Sequence, residues 1–397
     1  MSKSILAGIK VLDLSRFIAG PHCAMILGDM GADVIKIEKA GVGDDSRHLP
    51  PFQGGESFYM LALNRNKRSI TMNFRSPEAQ EMLREMAAKA DVVIENFRPG
   101  TMEAMGCGWE VLHEINPRLV MTRLSGFGQD GPGAMRPGFD GIAQAMSGLM
   151  SLTGDPEGPP MLAGTFYIDY MTAMYAATAT LGALLSRRDS GEGQMVDVSL
   201  LESATALLTT ALGSQTHRNE TLHRMGNRDR YSAPANVFRT ASDDHVLMLS
   251  GTNGLFKRLC GMMERPDLLE DERFSSVHQR MENVEAIEAE VAAWFGARDT
   301  ETVLARLEEA GLPHAKVATP ADVIDNPQLR HRNQILEIEH PKAGRFTTPG
   351  LTMHLSQTPP SVRRHPPSLG EHTDEVLAEW FGYDADRIAR LRGDGVV

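Results

Sequence analysis

Between Ile9 and Ser125 short apolar runs alternate with amphipathic stretches, and the spacing predicts strands and helices in turn. Ile9 to Leu14 (IKVLDL) reads as a strand and about Pro21 to Met30 as a helix. Asp33 to Glu38 (DVIKIE) and Ser69 to Phe74 (SITMNF) are the next strands. Ser76 then supplies an N-cap and Pro77 the first helical position of a helix running to Ala90. Asp91 to Phe97 (DVVIENF) and Leu119 to Ser125 (LVMTRLS) complete the strands of this region. Strands separated by helices imply βαβ units, hence an α/β class with a parallel sheet covered on both faces. Ligands of such sheets gather beyond the strand C-terminal ends. Ser15–Arg16–Phe17, Glu38–Lys39 and Asn96–Phe97–Arg98 are therefore expected near one rim.

The stretch Met161 to Asp189 has a different pattern, a glycine-containing turn followed by a helix. Tyr170, Met174, Ala177, Leu181 and Leu184 repeat at helical spacing and predict its buried face. At the start of this helix, beside Phe166, Tyr167 and Ile168, stands one carboxylate, Asp169. On residue type it reads first as an N-cap, and alternatively as a carboxylate nucleophile kept ionised by the helix dipole and nearby amides. A cap with one free oxygen can still attack, so both readings stay open.

Composition excludes several classes. The 397 residues are 42% hydrophobic and 23% charged, ordinary for a soluble globular protein, and suffice for more than one domain. A net charge of −12 argues against general nucleic-acid binding. No apolar run reaches membrane-spanning length, and the N-terminal MSKSILAGIKVL lacks a signal-peptide core, so a cytoplasmic enzyme is expected. Cys23, Cys107 and Cys260 are too dispersed for a disulfide framework or a zinc site. Gly126-Phe127-Gly128-Gln129-Asp130-Gly131 matches the dinucleotide pattern GxGxxG, but Pro132, Gly133, Pro137 and Gly138 follow where a helix must begin. It is read as a loop, and dinucleotide binding is rejected. Phosphate-loop, zinc-protease and GxSxG nucleophile patterns are missing from the sequence.

Against that acidic background the cation clusters carry more weight. Arg65, Lys67 and Arg68 fall within four positions, Lys36 and Lys39 flank Glu38, and Arg98 follows Asn96–Phe97. Their convergence on one rim points to a polyphosphate ligand, with Phe97 available to stack on a base.

The segments LSRFIAGPHCAMILGDMGADVIKIEK, LNRNKRSITMNF, DVVIENFRPG, RPGFDGIAQAMSGLMSLTG, GEGQMVDVSLLES and SLGEHTDEVL, with the Asp169 helix among them, resemble the class III CoA-transferase family in order along nearly the whole chain. The resemblance implies a large Rossmann-like domain built from both chain ends (1–202 and 330–397), a linker (203–235), a smaller α/β domain (236–321) and a return linker (322–329). It also implies an interlocked homodimer. It carries Asp169 over as the catalytic aspartate and Asp140 as an acidic residue supporting it, although Asp140 alone reads as a helix N-cap. Arg16, Phe17, Ile18 and Ala19 match the loop along bound CoA, and Lys36, Leu63, Arg68, Asn96, Phe97 and Arg98 match nucleotide and pantetheine contacts. The implied reaction moves CoA from an acyl-CoA donor, with succinyl-CoA the expected one, to a small carboxylic acid through an aspartyl-CoA thioester. CoA thioesters are then substrates, and no metal or redox cofactor is expected. Departures lie at Phe17, where formyl-CoA transferase has Gln, at Ala104, and at Gly226–Arg230, where that enzyme has a glycine-rich flap. Arg47, His48, Arg228 and Arg230 are expected to receive a second carboxylate of the acceptor. Two alternatives remain: a 2-methylacyl-CoA racemase, which in this family pairs Asp169 with a His where this chain has Phe139, and a non-catalytic acyl-CoA-binding protein in which Asp169 is only a cap.

Overall fold

The apolar runs of the N-terminal third become five strands of a six-stranded parallel sheet: β1 (Lys10–Asp13), β2 (Asp33–Lys39), β3 (Lys67–Met72), β4 (Val92–Glu95), β5 (Val120–Ser125) and β6 (Met195–Ser199). Their order is β3-β2-β1-β4-β5-β6, so the winding reverses between β1 and β4. Neighbouring residues feed opposite faces. Val11, Val34, Val92 and Val120 pack on one side, and Leu12, Ile35, Val93 and Met121 on the other, all buried. Burial on both faces explains why these strands read as continuous apolar runs. The computed structural model describes residues 4–397.

Helices α1 (Ala19–Asp29) and α5 (Tyr167–Ser190) cover one face. The other is covered by α3 (Pro77–Ala87) and two C-terminal helices, α7 (Thr373–Phe381) and α8 (Ala385–Gly393). Between these along the chain lie α2 (Phe58–Leu63), α4 (Asp140–Ser147) and α6 (Leu200–Thr205). The buried face of α5 differs from the expected one. Tyr170 and Met174 are exposed, whereas Ala173, Ala176, Ala177, Thr180 and Ala183 are buried. Small side chains allow α5 to lie close to α1, whose Cys23 and Ala24 are fully buried in the same cluster. Of the expected face, Ala177 and Leu184 are buried, while Tyr170 and Met174 turn to the outer side. The GxGxxG stretch is a loop, with Gly128 and Gly131 at positive φ and no helix before Asp140.

The chain divides into two compact units. One contains the residues up to Leu149, Ala163–Leu212 and Gln328–Val397; the other contains Met150–Leu162 and Gly213–Pro327. The expected boundaries differ at four places. Residues 150–162 belong to the second unit, 203–212 to the first, 213–235 fold with the second unit instead of forming a separate linker, and the expected return linker divides, 322–327 to the second unit and 328–329 to the first. The second unit has a three-stranded antiparallel sheet, β7 (Ala235–Arg239), β8 (His245–Leu249) and β9 (His314–Lys316), in the order β9-β8-β7. Its own core gathers Phe238, Phe256, Phe274 and Phe295.

Candidate active site

The loops after β1 and β4 meet where the strand order reverses, the place at which a doubly wound sheet opens a crevice. Asn96 stitches them together. Its Oδ1 accepts from the Arg16 amide (2.8 Å) and its Nδ2 donates to the Arg16 carbonyl (2.7 Å). Phe17 sits at φ +64°, a left-handed conformation costly for a bulky residue. Asp44 Oδ1 accepts its amide (3.1 Å), and the ring meets Phe139 edge-on at 5.9 Å. Below this loop, Lys36 Nζ donates to the Ser15 carbonyl and to Asp44 Oδ2, both at 2.9 Å. Burial works against the Lys36 charge, but Asp44, Asp13 and Glu38 together raise its pKa above the ordinary lysine value. Lys36 therefore holds the loop from beneath and is fully buried, which corrects its expected place among ligand contacts.

Two cavities share Asp169. The first, about 230 Å³, is lined by Arg16, Phe17, Ile18, Ala19, Asn96, Phe97, Arg98, Ser125, Gly126, Arg136 and Gly138, among others. Arg16 pairs with Asp45 at 2.6 Å, while Arg98 and Arg136 are exposed, with no side-chain ion pair or hydrogen bond among the described residues. The second, about 220 Å³, is mostly aromatic and aliphatic: Phe17, Ile18, Leu49, Tyr59, Phe139 and Phe166, with Ser46 and Asp140. A smaller hollow of about 130 Å³ continues past Arg16 and Phe97 to Lys39, Val42 and Phe74.

Asp169 lies in the first turn of α5, whose N-cap is Phe166, so it is not the cap. Asp140 fills that role from another helix. Its Oδ2 accepts from the amides of Ile168 (2.8 Å) and Asp169 (3.1 Å). Asp140 is itself the first residue of α4, one position past the cap expected for it, and is buried. No group among the described residues hydrogen-bonds to the Asp169 carboxylate, and burial followed by the charge of Asp140 pushes its pKa up to about 7. The expectation of a carboxylate kept ionised by nearby amides is thus reversed, because Asp140 takes those amides. A carboxylate with little hydrogen bonding and a raised pKa is correspondingly basic and nucleophilic.

Several predicted contacts lie elsewhere. Arg68 is the second residue of β3, so it stands near the N-terminal rim, opposite the crevice, and its guanidinium is held by Asp33 (2.5 Å), Glu375 (2.9 Å) and Glu379 (2.6 Å). Arg65 is bound to Asp29 (2.7 Å). Lys67 is buried against Asp13 (2.8 Å), and burial lowers its pKa to about 8. The cation cluster is consequently consumed by internal ion pairs. Leu63 is buried beside a separate cavity of about 200 Å³ with His22, Tyr170 and Met174. Arg47 is gripped by both oxygens of Glu38 (2.7 Å each) and approaches Glu56 at 3.5 Å, leaving no guanidinium edge for an acceptor. His48 is exposed, with Nε2 3.0 Å from the Val42 carbonyl, and lines neither cavity that contains Asp169. Arg228 and Arg230 belong to the second unit, where Arg228 pairs with Glu288 (2.7 Å) and Arg230 donates to the His223 carbonyl (2.6 Å). Conversely, Arg136, Tyr59 and Phe166 line the Asp169 cavities without having been singled out in sequence. Arg136 was discoverable as a cation in a Gly/Pro-rich loop; Tyr59 carries no such signal.

A doubly wound sheet with a cation-lined cleft at its switch point, ending on a poorly solvated carboxylate, defines an α/β enzyme built for an anionic, nucleotide-like substrate. The chain belongs to CoA-transferase family III, whose profile matches residues 6–373. It is 36% identical over 393 residues to succinyl-CoA:glutarate CoA-transferase of Homo sapiens, covering 99% of this chain and 90% of that one. It is 35% identical over 393 residues to succinyl-CoA–D-citramalate CoA-transferase of Chloroflexus aurantiacus, covering 99% and 98%. A CaiB/BaiF family protein from Brucella suis superposes with a TM-score of 0.86 at 33% identity, covering 95% of this chain and all of the other. The protein is a CoA-transferase acting on CoA thioesters.

Proposed function

We propose that the protein transfers CoA from succinyl-CoA to a small dicarboxylic acid, with Asp169 as the covalent carrier. The carrying observation is that Asp169 is the one charged residue among the described residues lining both a cationic cavity suited to CoA and an apolar cavity suited to an acyl chain. In this reading Arg98 and Arg136 hold CoA phosphates, and the nucleotide extends into the hollow beside Phe97 and Phe74. An Asp169 oxygen attacks the donor thioester carbonyl, forming a mixed anhydride and releasing CoA thiolate. The thiolate attacks the aspartyl carbonyl, forming aspartyl-CoA thioester and freeing the donor acid. The acceptor carboxylate attacks that thioester, again expelling thiolate, which then attacks the acceptor's acyl carbonyl and restores the Asp169 carboxylate. The thioester energy is conserved because every step exchanges one acyl partner for another. The apolar second cavity favours this by limiting water.

The dicarboxylate preference rests on the relatives' substrates as named, since the cations first expected to read a second carboxylate have other partners. Within the apolar cavity its remaining readers are the hydroxyls of Ser46 and Tyr59. A racemase would need a second proton-exchanging group facing the substrate α-carbon. Phe139 cannot exchange a proton, and Asp140 is committed to two amides. The exposed Tyr170, Met174, Tyr175 and Leu185 on α5 support the expected interlocked homodimer. The test compares kcat/KM for glutarate, malate and butyrate as acceptors with succinyl-CoA as donor. The dicarboxylates should be preferred at least tenfold, about 1.4 kcal/mol; equal use of butyrate contradicts recognition of a second carboxylate.

A further inference from the structure

Gln144, on the buried side of α4, lines neither cavity that contains Asp169, yet both ends of its amide are engaged. Its Nε2 donates to Asp140 Oδ1, one helical turn earlier. Its Oε1 accepts from the Ala163 amide at 3.1 Å. Ala163 is the residue at which the chain returns to the first unit after Met150–Leu162, and α5 begins four residues later. One amide thus links the helix that carries Asp140 to the strand of chain that leads into Asp169. The amide meets both duties, because one partner needs a donor and the other an acceptor.

We propose that Gln144 is a positioning residue: it locks Asp140 onto the opening amides of α5 and so keeps those amides away from the Asp169 carboxylate. The inference rests on the reading of Asp169 as nucleophile for its functional meaning, and on the hydrogen bonds alone for its structural one. Without Gln144, Asp140 is free to turn about its side chain. The Ile168 and Asp169 amides then become available to Asp169, and the Asp140 charge withdraws from it. Both changes favour ionised Asp169 and make it a weaker base. The other groups around Asp169 stay in place: Tyr59 from α2, Tyr167 and Tyr170 from α5, and Arg16, Arg98 and Arg136 around the first cavity.

The experiment titrates the Asp169 carboxyl by ¹³C NMR in substrate-free protein, the signal being assigned by its loss in Asp169→Asn. Gln144→Met keeps the volume but removes both hydrogen bonds. It should move the Asp169 midpoint to lower pH by about one unit, a tenfold change in proton concentration, and the acid limb of kcat/KM should follow. In an Asp140→Asn background the same substitution should produce no further movement, because Gln144 acts through Asp140. If Gln144→Met does not fold, Gln144→Asn replaces it, since the shorter amide cannot span both partners. An unmoved midpoint in the single variant overturns the proposal, as does an equal movement in both backgrounds. Because the titration needs no turnover, it stands or falls separately from the nucleophile reading, which fails instead if wild-type protein forms no covalent adduct.

Discussion

Replacing Asp169 with Asn should stabilise the protein in a pH-dependent way. The carboxyl pKa rises from 3.8 to about 7 on folding, through burial and then the Asp140 charge. The folded state therefore holds the proton more tightly than the unfolded chain. The associated stability is fully present below the unfolded value and is lost as pH rises through the folded one. A difference of roughly three pH units at about 1.4 kcal/mol each sets a ceiling near 4 kcal/mol. Asp169 is partly solvent-exposed, which reduces the expected cost to about 1–3 kcal/mol. Asn is neutral throughout and does not incur it. Thermal unfolding of both proteins should give a small offset at about pH 5 and a widening one to about pH 8, where the variant gains several degrees, at roughly 2–4 °C per kcal/mol. An offset that stays constant across this range would falsify the placement of Asp169 as a poorly compensated carboxylate.

The remaining predictions separate cleft cations from structural ones. Arg98→Ala and Arg136→Ala should each raise KM for every acyl-CoA by roughly 10- to 150-fold, with kcat nearly unchanged, since a charged phosphate contact contributes about 1.5–3 kcal/mol; steady-state kinetics with two donors decides this. Arg68→Ala should do the reverse. Removing its guanidinium leaves Asp33, Glu375 and Glu379 without their shared counter-charge, and these carboxylates are 38–50% exposed, so unfolding should cost about 1–3 kcal/mol less. Its acyl-CoA KM should stay within about twofold of wild type; a large KM increase with unchanged unfolding would return Arg68 to the list of ligand contacts.

Much of the large unit was legible because its strands are buried on both faces and appear as uninterrupted apolar runs. β6 escaped because its five residues, Met195–Ser199, alternate exposed and buried positions and sit at the sheet edge. The α5 face was misjudged for a related reason. At Tyr170 and Met174 size was taken as the mark of burial, whereas the close approach to α1 selects Ala173 and Ala176 beside the expected Ala177 and Leu184. Asp169 and the Asn96–Arg98 turn line one cavity, and each could be placed there from a local pattern with a defined position on the fold. Arg68, Lys36 and Arg47 were misplaced because charge is visible in sequence and its partner is not: Glu375 and Glu379 lie about 310 positions from Arg68. Strand polarity did hold a warning. Arg68 falls at the beginning of an apolar run, and a residue there belongs to the rim away from the crevice. Asp140 could be seen as a cap, but nothing local showed that the helix it caps is α5.

The proposed mechanism requires Asp169 to become covalently linked during transfer. Intact-protein mass spectrometry after mixing with succinyl-CoA alone, with rapid acid quenching and peptide mapping, tests this directly. The expected result is a CoA adduct on the peptide containing Asp169, removed by hydroxylamine and missing in Asp169→Ala. An adduct on another residue, or CoA exchange by Asp169→Ala at a rate near wild type, would contradict it.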